Sequence, residues 1–407
     1  MNLADMLCYA DIAELTRIAE TYDCNCSSHS KNELIQSILS TVQRRDVMES
    51  RVGEMTGNDL RFLNSLVFEN RTAYSLEELK ARALGGEPAK VDKTPAEAKS
   101  IPIVPSPVNR TRKGKNTEQK PPPGPDETAR LSISRFKRFG WLFNGFSQQT
   151  RQLYQVPEDV KLRLCDALEK RYRSSLVIMD EPPAYRDERN LLLEDIVHFL
   201  RYVRDNDLQL TSEGVLYKRQ IAQALDLLSV NETLPNRGGW RFGYGRKFHD
   251  YPDRFSLLYD FVYYEGLIVE EKDRLTLTPE GRNVADGMAK PDPTKLYRFW
   301  LRLYKGAIPN LSTLTQWIMR LSADWVTVES IHQILQPLVR PYYYDTQKDV
   351  LERRVLIMLM HLGVLRWGET ADGVSVVRIT PQGKTLVSGN SLVIEDKLIL
   401  DLSKPRL

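Results

Sequence analysis

Cysteine is scarce: the chain carries only Cys8, Cys24, Cys26 and Cys165 among 407 residues. Four thiols in a chain of this length do not make a disulfide framework, and a reducing compartment suits them. Cys24 and Cys26 form a C-x-C with no second pair and no histidine ladder, which argues against zinc. The first residues, MNLADMLCYADIAELTRI, have neither a basic n-region nor an apolar core, so no secretory leader is expected. No apolar run approaches the length of a membrane span. His29, His198, His249, His332 and His361 are scattered, with no H-x-x-x-H among them. A G-x-S-x-G elbow and a G-x-x-x-x-G-K-[ST] phosphate loop are also missing. A non-enzymatic cytoplasmic protein is therefore expected, with no catalytic residue, metal or cofactor.

What is present is ordinary globular composition with a formal net charge of +3. So mild a surplus names no partner, and any binding face must come from local clustering. Length suggests two to three domains.

The order of elements follows from periodicity. Residues 1–45 read as a helical unit. Asp11 and Ser30 sit where each would cap a helix, three residues before Glu14 and Glu33. Ile12, Leu15, Ile18 and Tyr22 stripe the first helix, and Leu34, Ile35, Ile38 and Leu39 stripe the second. Residues 52–158 read as two short helices, a third from about Asp126, and a hairpin. Residues 86–128 interrupt this unit with a proline-rich stretch expected to be disordered. Within it Arg110, Arg112, Lys113, Lys115 and Lys120 face one acid, Glu118. Residues 159–206 read as a helical connector broken by a turn at Asp180-Glu181-Pro182-Pro183.

A repeat is the strongest internal signal. Phe255–Gly287 and Arg353–Gly389 each hold an apolar helix stopped by glycine, a β-branched hairpin, and Thr-Pro-x-Gly. A weaker copy spans 140–159. Helix, hairpin and capping turn are the second half of a winged helix, so 207–290 is expected to be one winged helix. Residues 291–390 are expected to be a helix plus another, followed by a strand pair at 391–407. The predicted fold class is mainly α with small β wings: a helix-extended loop-helix followed by tandem winged-helix modules.

Two resemblances bear on function. The helix-loop-helix with Ser30-Lys31-x-Glu33-Leu34-Ile35 resembles the SAP and Rho N-terminal type of nucleic-acid module. That resemblance implies a phosphate at the N-terminus of the second helix beside Lys31; a helical hairpin for protein contacts is the other reading. The segment LTSEGVLYKRQIAQAL…LLYDFVYYEGLIVEEKDRLTLTPEG and the tail SLVIEDKLILDLSKP are similar to the helicase-associated, XPB/Ssl2 N-terminal-like domain. The similarity, over 205–402, implies a DNA-associated accessory protein, although no helicase motor is present.

The densest candidate site is the loop Asn236–Arg254. Arg237, Arg241, Arg246 and Lys247 alternate there with Trp240, Tyr244 and other aromatics, and glycines let the backbone come close to a ligand. Guanidinium groups grip phosphates and rings stack on bases. The alternative is that these rings pack into the core and the arginines pair with Asp250 and Asp253. Lys218 and Arg219 open a helix and are further candidates, as are Arg274 and Arg378 on the wings. Tyr342-Tyr343-Tyr344 reads as core and interface. The expected function is non-enzymatic nucleic-acid binding with little sequence readout, to DNA rather than RNA, beside a helicase or other DNA-processing protein and away from membranes. The rival is a tandem winged-helix scaffold for protein assembly.

Overall fold

The computed structural model describes residues 1–24, 30–69, 71, 73–84, 124–235 and 245–389. It is mainly helical with three small antiparallel sheets. The expected strand pair at 391–407 and the basic run at 110–120 lie outside the described residues.

The N-terminal unit has one helix more than periodicity suggested. Leu3–Tyr9 (α1) precedes Ile12–Thr21 (α2) and Lys31–Val42 (α3), and Arg45–Gly53 (α4) follows. Asp11 and Ser30 cap α2 and α3 by accepting the N–H groups of Glu14 and Glu33. The unit is not a free-standing body. Tyr22 Oη donates to the carbonyl of Phe139, and Asp159 accepts the N–H of Leu3 at 2.8 Å. Its apolar stripes run into the same core as the rest of the chain.

Three modules then repeat one element order. The first comprises Gly57–Val67 (α5), a bridge residue Tyr74, Leu76–Leu84 (α6), Pro125–Arg138 (α7) and the strands Phe143–Asn144 (β1) and Tyr154–Gln155 (β2). Tyr74 bridges Tyr154, so a strand contact stands between the first two helices. The segment expected to be disordered leaves between α6 and α7. These two helices pack together, and Lys80 meets Asp126 at 3.2 Å.

Glu158–Arg173 (α8) leads to a correction. Residues 159–206 are not purely helical, because Ala184–Asp187 forms a strand (β3) directly after the Pro182-Pro183 turn. Its partner is distant in sequence and belongs to the third module, so local periodicity carried no sign of it. The second module follows: Leu191–Asp205 (α9), Leu208–Gln209 (β4), Lys218–Asp226 (α10), Asp253–Tyr264 (α11), and the hairpin Ile268–Glu271 (β5) and Arg274–Leu277 (β6). Pro279–Ala285 (α12) closes it. Pro293–Tyr304 (α13) then packs against both α11 and Leu311–Leu321 (α14).

The third module runs α14, Val326–Thr327 (β7), Val328–Leu335 (α15), and a longer helical passage of Gln347–Asp349 (α16), a π-helical stretch Val350–Leu356 and Ile357–His361 (α17). Leu365–Glu369 (β8), Ser375–Ile379 (β9) and Pro381–Gly389 (α18) end it. The sheet order is β3-β8-β9-β7, so a strand from before α9 is stitched onto the edge of the third module.

The repeat is chemical as well as topological. Gly140, Gly266 and Gly363 all have φ between 65° and 70°, the left-handed conformation that lets a helix end without a Cβ clash. The next residue closes each helix in the same way: Trp141 N donates to Phe136 O, Leu267 N to Val262 O, and Val364 N to Leu359 O. After the hairpin, Thr278 and Thr380 reach back, donating their hydroxyls to the carbonyls of Gly266 and Gly363 at 2.7 Å. The same hydroxyls accept the N–H of Gly281 and Gly383, capping α12 and α18. A Cβ at Gly281 or Gly383 would collide with the carbonyl of Leu267 or Val364. The Thr-Pro-x-Gly motif is therefore a latch from the new helix to the end of the old one.

Candidate nucleic-acid interface

The third helix of each module is the element such folds could offer to a groove, and its burial differs sharply among the three. In α11 every residue from Arg254 to Val262 is buried, under α9, α13 and β5. The π-helical stretch and α17 are similarly enclosed, with Val350, Leu351, Arg354, Val355, Leu356 and Met358–His361 buried. Helix α7 is amphipathic. It buries Ala129, Ile133 and Phe136 and presents Leu131, Ser134, Arg135 and Arg138 on one exposed face, with Arg130 beside them.

That face is basic. Arg130 pairs with Asp126 at 2.8 Å, and Arg135 with the buried carboxylate of Asp59. Arg138 is exposed and has no partner among the described residues. In the β1–β2 hairpin loop Arg151 is likewise exposed and unpaired, alongside exposed Gln148, Gln149 and Gln152. These residues were not singled out from the sequence. The spacing 131, 134, 135, 138 was visible there as one helical face, but which face would be covered was not.

The residues singled out from the sequence do not form one site. Arg237, Trp240, Arg241 and Tyr244 lie outside the described residues, as do Arg110, Arg112, Lys113 and Lys115. Arg246 and Lys247, at the described end of the same loop, are both turned to the protein. Arg246 grips Glu270 with two hydrogen bonds of 2.8 and 2.7 Å and lies 3.7 Å over the ring of Tyr263. Lys247 Nζ donates to the carbonyl of Glu213 at 2.5 Å. Tyr251 is buried, and its hydroxyl accepts the N–H of Leu216. In the described part of the loop Tyr251 packs into the core, whereas the arginines pair with acids outside the loop, Arg246 with Glu270 and Arg254 with Asp195, and not with Asp250 or Asp253.

Beneath that loop end lies a buried acid. Asp260 accepts the N–H of Arg246 at 3.1 Å, and its carboxyl fills the space that a Cβ on Gly245 would need. Burial pushes its pKa up to about 7, against the pull of the Arg246 amide and guanidinium. Glu270 accepts from Tyr259 Oη at 2.9 Å as well as from Arg246. This cluster positions the loop and has no exposed acid to offer a substrate.

Lys31 donates from Nζ to the carbonyl of Cys8 at 2.8 Å, tying the end of α1 to the start of α3. Lys218 and Arg219 are exposed at the N-terminus of α10, beside half-exposed Tyr217, and neither has a partner among the described residues. The first turn of α10 has no acid and its N-cap makes no side-chain hydrogen bond. Two cations at the positive end of a helix are unfavourable alone and are relieved by an anion. On the hairpins read as wings, Arg274 pairs with Asp207 at 3.7 Å and Arg378 donates to the carbonyl of Ala323. In the tyrosine run, read as core and interface, Tyr342 packs on the core, whereas Tyr343 and Tyr344 are 79% and 78% exposed.

Among the described residues no group of three or more His, Cys, Asp and Glu side chains could hold a metal. Cys24 and its Sγ contact Thr41 and the carbonyl of Ser37, and burial raises the Cys165 thiol to about 11, far from a thiolate at neutral pH. No helix among the described residues is long and apolar enough to cross a membrane. No family model, curated protein or solved structure matches this chain, so its own geometry carries the functional argument.

Proposed function

We propose that the protein binds nucleic acid without transforming it, through the first of three winged-helix modules. Each module follows the winged-helix order of helix, strand or bridge, helix, helix and hairpin, and the first is the one with an open third helix. The observation that carries this reading is the basic outward end of α7, with Arg138 and, on the adjoining hairpin, Arg151 exposed without partners among the described residues. Support comes from the chain itself: the basic run Arg110, Arg112, Lys113, Lys115 and Lys120 precedes the start of α7 at Pro125 by only a few residues. Such cations neutralise phosphate and release counterions with little regard for sequence. Lys218 and Arg219 supply a second point of contact. DNA as the preferred partner, and association with a helicase, rest on the sequence resemblance.

The buried third helices of the second and third modules fit a framework that holds the chain as one body. Binding of the intact protein to labelled single-stranded DNA, duplex DNA and RNA across a salt series tests the reading. Binding is expected to weaken steeply with salt. A variant with Arg130, Arg138 and Arg151 changed to alanine is expected to lower the slope of log K against log salt by about one per lost phosphate contact. No binding at low salt would overturn it.

A second reading, a scaffold for protein assembly, is favoured by the exposure of Tyr343 and Tyr344 on the third module. Capture of a protein partner that is lost when both tyrosines become serine, with no nucleic-acid binding, would select it.

A further inference from the structure

Tyr9 ends α1, and Phe146 lies in the hairpin loop after β1. They are far apart in sequence, yet their ring centroids are 4.4 Å apart and their planes differ by 15°. Both rings remain in water: Tyr9 is 64% and Phe146 47% exposed. Ile12, which opens α2 three residues on, is also exposed. Two nearly parallel rings shield one face each and leave outer faces open among the described residues. Contiguous exposed apolar surface is where a partner or ligand gains most by docking.

Charge around the pair narrows the kind of contact. Lys31 places its ammonium on the carbonyl of Cys8, the residue before Tyr9, and keeps two protons for another acceptor. Lys137 donates to Asn144 Oδ1 at 2.7 Å, two residues before Phe146. The Asn144 amide in turn donates to the carbonyl of Arg151, fixing the hairpin that carries this exposed guanidinium. Arg138 follows Lys137, and Arg17 stands one turn beyond Glu14 on α2; both are exposed without partners among the described residues. Most acids of these segments are engaged: Asp5 and Asp11 accept N–H groups at the starts of α1 and α2, and Glu14 pairs with Lys137 at 3.4 Å, while Glu20 near the far end of α2 is exposed.

We propose that the Tyr9–Phe146 pair is a stacking platform for an unpaired base of a single-stranded nucleic acid. Its phosphates run past Arg138 and Arg151 on one side and Lys31 on the other. This rests on the nucleic-acid reading above and adds strand type and place. A duplex keeps its base faces covered by neighbouring pairs, so the platform discriminates for single strands. Rings and cations surround the strand without reading base edges, so preference among bases is weak. The platform also joins the N-terminal helices to the first module in one site, because Tyr9 and Lys31 come from the former and Phe146 and Arg151 from the latter.

The test uses the intact protein and an oligonucleotide carrying 2-aminopurine, as a single strand and as a duplex. Wild type, Tyr9→Ala/Phe146→Ala and Tyr9→Phe are compared by anisotropy at one low salt concentration and by 2-aminopurine emission. Both side chains are exposed, and unchanged thermal melts confirm that each variant folds. Loss of one stacked base is expected to weaken single-strand binding by about 5- to 150-fold. Duplex affinity is expected to stay the same, emission quenching to disappear, and Tyr9→Phe to behave as wild type. Equal single-strand affinity for the double variant and wild type, or an equal loss on both strand types, overturns the platform while leaving nucleic-acid binding intact. If wild type binds neither strand, the broader reading fails and the platform with it. Loss of self-association in the double variant, without nucleic-acid binding, would instead make the pair a protein contact.

Discussion

The guanidinium of Arg254 meets the carboxylate of Asp195 at 2.6 Å with neither side chain reachable by solvent. Arg254 opens α11 and Asp195 lies within α9, so the pair ties the third helix of the second module to its first. Glu188 adds a second carboxylate, 3.5 Å from Arg254 and 2.9 Å from His361 Nδ1 on α17. Burial pushes the Glu188 carboxyl up, but His361 and the arginines outweigh it and hold it below the ordinary value. The network therefore spans two modules. Arg254→Ala leaves two buried carboxylates short of a cation and is expected to cost about 3–5 kcal/mol. Urea unfolding reads this directly. A change below about 1 kcal/mol would mean that water or His361 takes over the compensation.

Asp260 predicts a pH dependence of opposite sense to that of most carboxylates. Its folded pKa, about 7, is raised above the unfolded value. Between roughly pH 4 and 7 the folded state holds a proton that the unfolded state has released. Stability from this group is therefore present at acid pH, falls as pH rises through that window, and levels off above it. Asp260→Asn removes the titration. Its advantage over wild type is expected to grow from near zero at pH 4 to a few kcal/mol, as an order of magnitude, above pH 7. Melting temperatures of the two proteins at about pH 4, the acid edge of the window, and about pH 8, beyond it, check the sign.

Gly266 and Gly363 separate two costs that usually arrive together. Both have positive φ, but a Cβ at Gly266 meets nothing within 4 Å, whereas one at Gly363 strikes the carbonyl of Arg189. Gly266→Ala is expected to cost about 1–2 kcal/mol, the strain of a left-handed residue. Gly363→Ala is expected to cost more, since the backbone before α9 must move away. Equal losses in chemical denaturation would show that the Arg189 segment yields freely.

Arg246 and the Lys218–Arg219 pair should respond in opposite assays. Arg246→Ala removes a bidentate bond to a partly buried Glu270 and is expected to cost about 1.5–3 kcal/mol of stability. Its effect on the salt dependence of nucleic-acid binding should be small. Changing Lys218 and Arg219 to alanine should leave the melt within about 0.5 kcal/mol and flatten the salt dependence. Measuring both quantities on both variants separates an arginine that holds the loop from cations that await a phosphate.

Much of the frame could be read from the chain because its signals are local. Gly363 followed by a hairpin and Thr380-Pro381 lies within one stretch of sequence, and each residue is needed for backbone reasons that act at short range. Gly140 without its threonine latch was a fainter copy, and the Tyr74–Tyr154 bridge that completes it depends on contacts across the module. β3 could not be read: its four residues are mostly exposed and owe their strand to β8 alone. The burial of α11 had a signal in the all-round apolar sequence FSLLYDFVYY, which leaves no polar face for a groove. For Arg246 the decisive partner, Glu270, lies 24 residues away across the hairpin, and a loop rich in arginine and glycine looks the same whether its charges point in or out. Tyr9 and Phe146 are far apart in sequence; only the packing of the N-terminal helices on the first module brings them face to face.

The threonine latch has a consequence for how this chain can vary. Thr278 and Thr380 tie the beginning of one helix to the end of another, so the hairpin between is fastened at its base rather than at its tip. The β5–β6 turn passes through Lys272 and Asp273, while the β8–β9 connection takes Thr370–Val374, and the latch is the same beneath both. Length at the tip is thus uncoupled from the fastening below it. Residues around Lys272 and Asp372 are places where the chain can be extended, by descent or by a reporter inserted at the bench, without asking the core to change.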